Sequence, residues 1–235
     1  MNKKTLDLAA ALALPLLLAA VAAAQVQSAA PAASSAPAVS PAPVSSAAAV
    51  SPEAPAGAPT LAVEDLVSAA RQYSDENAKG ISPEEKARRL AAKDKINGIL
   101  DLHEMAHLIL IRKWDALKPA DREKYADLLS ALVQKVGYPQ IGNYFNENLE
   151  VKYDGEKPLP DGNREVATSI VYKDEDLTLS TEFRLHDTPK GWRIYDVVTD
   201  GESLLLIYRN QHMGIIKDKG FPELIRLMEK KLHEN

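Results

Sequence analysis

The sequence predicts an α+β domain with helices at both ends of a four-stranded antiparallel meander, and three observations carry that assignment. Apolar residues recur at a helical period up to Asn148 and alternate one for one after it. Helix start signals precede the alternating segments, and two more helical patterns follow them. Between the last strand and those helices stands Gly191 to Gln211, GWRIYDVVTDGESLLLIYRNQ. It reads as a strand through Ile194, Tyr195, Val197 and Val198, breaks at Asp200-Gly201 and turns helical from Leu204 to Tyr208. This stretch is expected to be the corner where sheet and helical layer meet.

Not all of the 235 residues are expected to fold. Residues 1–24 are laid out as a secretory leader: Lys3 and Lys4 open it, Leu8 to Val21 form its apolar run, and Ala22-Ala23-Ala24 offers a cleavage site before Gln25. The run is barely long enough to span a bilayer, is diluted by alanine and is interrupted by Pro15, which favours cleavage over retention as an anchor. Residues 25–60 are almost all Ala, Pro, Ser and Val, with Glu53 their only charge. So few large apolar side chains cannot offset the entropy of ordering the chain, and the segment is expected to be a disordered tether ahead of a domain at 61–235.

Composition excludes several classes of function. With no cysteine the chain has no disulfide, no thiol nucleophile, no thiolate metal site and no lipid-modified N-terminal cysteine. A net charge of −5 with both signs interspersed offers neither a nucleic-acid footprint nor a polybasic segment for an anionic bilayer.

Four helical patterns open the domain. Val63, Leu66, Val67 and Ala70 give the first, over Val63 to Tyr73. Ser82-Pro83-Glu84-Glu85 then supplies an N-cap, a proline at the first helical position and a glutamate at the third. From about Ala91 to Trp114, with a break expected near Gly98, apolar residues occupy almost every face, as in a helix buried on most sides or lining a cavity. Pro119 opens the fourth, whose stripe of Tyr125, Leu128, Leu129, Leu132, Val133 and Val136 runs to Gly137.

Three strands follow, from Leu149 to Tyr153, Val166 to Tyr172 and Leu177 to Leu185, each alternating apolar with polar side chains. The fourth is the first half of the corner, and helices over Leu204 to Lys217 and Pro222 to Leu232 close the chain. Helices gathered on one face of the sheet are the expected architecture.

One motif invites a catalytic reading. His103-Glu104-Met105-Ala106-His107 is H-E-x-x-H on a helix, the spacing that lets two imidazoles hold zinc with the glutamate as base, and Glu123 is a candidate third ligand. Against a zinc peptidase, both histidines are expected on the face occupied by Ile96, Leu100, Leu110 and Trp114, and no substrate-binding strand precedes them. Structural histidines are therefore the preferred reading. Gly201-Glu202-Ser203 lacks the second glycine of a nucleophile elbow, so Ser203 is expected to cap a helix. His186 and His212 are expected at solvated surfaces. Arg209 could pair with Glu202 or Asp200, or meet a lipid phosphate.

Taken together, these residues resemble the MlaC or toluene-tolerance family, from about Val63 to Lys231. Gly191-Trp192-Arg193-Ile194-Tyr195-Asp196-Val197 is similar to that family's G-W-x-(V/I)-Y-D-V, Gly201, Ser203 and Leu204 to its G-V-S-L, and Tyr208-Arg209-Asn210-Gln211 to its Y-R-x-Q. Asp101, Met105, Ala106, Leu110 and Trp114 follow its D-x-x-x-M-A…L-G-x-x-W. Ile111 replaces the usual glycine and Glu202 the usual valine.

The resemblance implies an NTF2-like cone that carries phospholipid through the periplasm between membrane-bound Mla-type complexes, without catalysis or cofactor. Two acyl chains hold on the order of 30 methylenes worth about 0.8 kcal/mol each on leaving water, so transit requires a dry pocket. Met105, Ile109, Tyr144, Val151, Ile170, Phe183, Tyr195 and Leu205 are the expected lining, with Glu202 and Arg209 at a gate or docking edge. A monomer is expected, and another apolar lipid such as a hopanoid is the alternative cargo.

Overall fold

The structure, a computed structural model, describes residues 58–138, 145, 149–173 and 177–234. The expected leader and most of the tether lie outside these residues, as does Tyr144. Helix α1 (Ala58–Gln72) starts five residues ahead of the expected Val63. The reason lies far along the chain: the Thr60 backbone N–H and hydroxyl both donate to Glu156 Oε1, at 3.0 and 2.5 Å. A carboxylate at a helix N-terminus satisfies free amides and complements the helix dipole.

Helix α2 (Pro83–Ile99) begins as its capping signal predicts, with Ser82 Oγ accepting from the Glu85 amide at 3.1 Å. The long apolar helix expected to run on to Trp114 is instead three pieces: α2, α3 (Leu102–Leu110) and α4 (Arg112–Ala116). The first break falls at Leu100-Asp101, just past Gly98. Leu100 bridges to Ile194 and the Asp101 amide donates to the Ile194 carbonyl at 2.7 Å, so the chain is drawn onto the sheet there. The second break is Ile111, at φ 46° and ψ −122°. Its amide closes α3 on the His107 carbonyl and its carbonyl accepts from the Trp114 amide to open α4. Helix α5 (Pro119–Leu132) continues into a π-helical turn at Val133–Gly137.

Five strands, rather than four, form an antiparallel sheet in chain order: β1 (Leu149–Pro158), β2 (Arg164–Tyr172), β3 (Leu177–Thr188), β4 (Gly191–Thr199) and β5 (Glu202–Ser203). The corner is a tight hairpin before it is a helix start. Val198 pairs Ser203 and Thr199 pairs Glu202 across the two-residue loop Asp200-Gly201, both at positive φ (49° and 84°), the conformation that makes Asp-Gly a favoured hairpin turn. Ser203 then caps α6 (Leu204–Lys219), accepting from the Leu206 amide at 3.1 Å as expected, and α7 (Phe221–His233) follows.

Two large apolar clusters result. Val63, Tyr73 and Ile96 of α1, its following turn and α2 pack on Val166, Phe183, Leu185 and Ile194 of the sheet. Helices α3, α5, α6 and α7 pack mainly on one another through Met105, Ile109, Tyr125, Leu129, Tyr208 and Met228. Leu100 and Val133 touch both clusters. Among the described residues no helix is long and apolar enough to cross a membrane.

His212 is not the surface group expected. It is fully buried in the helical cluster, its Nδ1 2.6 Å from Tyr125 Oη, and burial pushes its pKa down to about 4. The imidazole is therefore neutral in the folded state. Unfolded, it takes up a proton below about 6.5, so stability is full above that value and falls as pH drops toward 4.

Two outcomes test this account of the fold. A β-branched residue at positive φ is strained by about 1–3 kcal/mol, and Ile111, 44% exposed, offsets this with partial burial. Relief of strain, lost burial and the entropy glycine adds to the unfolded chain nearly cancel, so Ile111→Gly should leave unfolding free energy within about 1 kcal/mol in urea denaturation. Ile111→Ala, which keeps the strain, should be the less stable of the two; an alanine variant more stable than the glycine one would contradict the strain. His212 should account for about 3 kcal/mol of the stability lost between pH 6.5 and 4, and His212→Gln should flatten that slope. Parallel losses in both proteins would place the titration elsewhere.

Candidate functional site

The alternation of the strands assigns the two sheet faces different work. In register, Val151 faces Ile170 and Ile170 faces Leu179, while Val166 faces Phe183 and Phe183 faces Val197. These side chains share the inner face, where Leu149, Ile170, Tyr172 and Leu179 form a third apolar cluster with Val151, Leu177 and Phe145 packed against it. Between this cluster and the one under α1 and α2 runs a polar row, Tyr153–Thr168–Thr181–Thr199, in consecutive cross-strand pairs. Thr168 Oγ1 donates to the Thr181 carbonyl at 2.8 Å, and Thr181 Oγ1, fully buried, has no partner among the described residues.

The opposite face carries charge. Lys157, Glu165, Arg184 and Asp196 are successive cross-strand partners over β1 to β4, alternating in sign. Lys157 Nζ lies 2.6 Å from Glu165, Arg184 Nε donates to Glu165 at 3.1 Å, and Arg184 Nη1 donates to Asp196 at 3.2 Å. Burial alone would raise the Glu165 carboxyl, but hydrogen bonds from Lys157 and Arg184 outweigh it and hold it below the usual carboxylate range. Asp196 passes the row into the helical lobe: it accepts from Ser203 Oγ at 2.7 Å and from the Leu205 amide at 2.9 Å. The aspartate of the Y-D-V motif thus joins β4 to the first turn of α6.

A second seam ties the α2–α3 break to β4. Asp101 caps α3 by accepting from the Glu104 amide at 3.0 Å, and it meets His186 Nε2 at 3.1 Å and Arg193 Nη1 at 3.2 Å. Arg193 also donates to the carbonyls of Asn97, Gly98 and Leu100, closing α2. His186 is half-buried in this seam rather than solvated.

The structure distributes the expected lining over several packing groups. Val151, Ile170 and Phe183 share the inner sheet face. Met105, Ile109 and Leu205 lie in the helical cluster, against which the half-buried Tyr195 packs beside the bulge that offsets Leu185 from Arg184. Leu100 and Val133, which the sequence marks only as apolar helix positions and not as lining, join sheet and helical clusters. Their joint role arises from chain breaks and a π turn that local periodicity does not encode.

Arg209 pairs with neither Glu202 nor Asp200. Its guanidinium donates to the Leu108 carbonyl at 2.8 and 3.2 Å and fastens α6 to the end of α3. Glu202 is exposed on the β4–β5 hairpin. The two histidines of H-E-x-x-H are not core residues either: His103 is exposed and His107 half-exposed, and each ring packs 5.5 Å from the Trp114 ring centre. Glu123 is exposed on α5, and among the described residues no three of His, Cys, Asp and Glu are grouped to hold a metal ion.

A family model described as "MlaC protein" matches residues 64–230. Among solved structures, a phospholipid-binding protein from Ralstonia solanacearum, in complex with a phospholipid, is similar to this chain at TM-score 0.58 and 19% identity. The match covers 74% of this chain and 94% of that one. No curated protein matches.

The Asp196 junction carries a direct test. Replacing it with alanine strands Arg184, Ser203 and the Leu205 amide in a buried setting, and should cost about 3–5 kcal/mol of unfolding free energy. Asp196→Asn keeps the acceptor for the Leu205 amide while an NH2 donor replaces the oxygen that accepts from Ser203 and Arg184, and it should cost less than alanine. Equal losses in the two variants would show that the helix-capping contacts, rather than the charge, are unimportant.

Proposed function

Because the chain belongs to the MlaC family, we propose that it is an exported phospholipid carrier that shuttles lipid between membrane-bound Mla-type complexes. The observation that carries this reading is the inner sheet face: two sheltered apolar clusters on either side of the threonine row, of which the one under α1 and α2 meets the helical lobe through Leu100 and Val133. Acyl chains lie along Val151, Ile170 and Phe183 and reach toward Met105, Ile109, Tyr195 and Leu205 at the helical side. The fold shared with the Ralstonia solanacearum phospholipid-binding protein supports the ligand class.

A carrier of this kind needs no catalytic group. Moving acyl chains from bilayer to a dry pocket exchanges one apolar environment for another, so the hydrophobic term nearly cancels, whereas exposing them to water does not. Direction then comes from docking partners. The leader at residues 1–24 would deliver the protein to the periplasm, and the segment after it would give the domain reach. Glu202, exposed where valine is usual in the family, is the residue assigned to docking, while Arg209 serves the scaffold through Leu108.

Organic extraction of the purified, tag-free protein followed by mass spectrometry should release phospholipid at close to one per chain. Protein that stays empty under every purification condition, or that releases only a non-phospholipid such as a hopanoid, would overturn the proposal.

A further inference from the structure

Lipid carriage leaves His103 and His107 without a role. At positions i and i+4 they project from one side of α3, about one turn apart. That side is open to solvent at both rings, while Met105, Ala106, Ile109 and Leu110 on the same helix are buried. The buried Trp114 restrains both imidazoles, one ring edge-on and the other tilted, at 5.5 Å each. Glu104 Oε2 lies 3.2 Å from His107 Nδ1. An imidazole held by a carboxylate through Nδ1 carries its proton there and turns the Nε2 lone pair outward, the arrangement that orients and strengthens histidine ligands at metal centres. In a peptidase the same glutamate would have to face the metal-bound water; here it is engaged with the histidine one turn on.

We infer that His103 and His107 form a two-imidazole surface site for a first-row transition-metal cation, oriented by Glu104, with solvent completing the coordination. Cu(II) should bind most tightly, since divalent affinities at nitrogen ligands peak at copper. Arg122, whose guanidinium lies 6.0 Å over the Trp114 ring, adds a positive charge against the tryptophan on which both imidazoles pack. The site is separate from the inner sheet face, so it holds or fails independently of lipid carriage.

Trp114 is a built-in reporter, because a bound Cu(II) ion quenches a neighbouring indole. In tag-free Trp192→Phe protein, which leaves Trp114 as the single tryptophan, Cu(II) should quench emission along a one-site curve. His103→Gln and His107→Gln should each move the midpoint to at least about ten times higher copper, and Glu104→Gln about three times or more, with unchanged circular dichroism. Electron paramagnetic resonance of the copper-loaded protein with both tryptophans intact should show coupling to two imidazole nitrogens, reduced in either histidine variant. A midpoint indifferent to both histidines, or a resonance spectrum that His107→Gln leaves unaltered, would overturn the assignment.

Discussion

An alternating row of charges, Lys157–Glu165–Arg184–Asp196, crosses four strands and ends in the first turn of the helix that follows them. The rest of the domain depends on it because register in a sheet is all or nothing. A one-residue slip of any strand would turn its apolar residues to the opposite face and set unmatched charges in a poorly hydrated place. Buried charges contribute little net stability, but they make wrong pairings costly, and here the wrong pairings would also bury the lysine, arginine and carboxylates among Ile170 and Phe183. The carboxylate of Asp196 then fixes where α6 begins, so sheet register and helical lobe are set by one group.

The Asp101–Arg193 seam performs the matching task at the other end of β4, closing α2 and opening α3 on the same strand. Both seams draw on the Gly191–Val197 motif, through Arg193 and Asp196, and the bulge at Tyr195 sets both side chains on the outer face, where they enter two networks. The charged positions of that motif are scaffold. Their consequence for the inner face is indirect: by taking the polar work to the outer face and the strand ends, they leave the inner face mainly apolar. Only the threonine row interrupts it.

Much of this was legible locally. The change of period at Asn148 located the sheet, Ser82-Pro83 located α2, and Ser203 announced its cap, because each of these is decided by neighbours in sequence. What escaped local reading was decided by distant contacts. Helix α1 starts early because Glu156 reaches it from β1, the long apolar segment is cut at Leu100 because Ile194 bonds to it, and Arg209 turns to Leu108 rather than to the nearer acids. His212 looked like a surface group since nothing in its own sequence neighbourhood shows that α5 supplies Tyr125 to cover it. At Ile111 the departure from the family's glycine was visible in sequence; that it sits at positive φ, where glycine is favoured, required the structure.

The division of the sheet into an apolar inner face and a charged outer face is the claim from which the lipid-carrier reading follows. Val151 and Lys152 are adjacent on the edge strand and point to opposite faces, with Val151 half-buried and Lys152 exposed. Placing a photo-crosslinking benzophenone side chain at each and irradiating protein loaded with phospholipid separates the two faces directly. A lipid adduct is expected from position 151 and none from position 152; an adduct from 152 alone, or equal adducts from both, would contradict the division of the two faces.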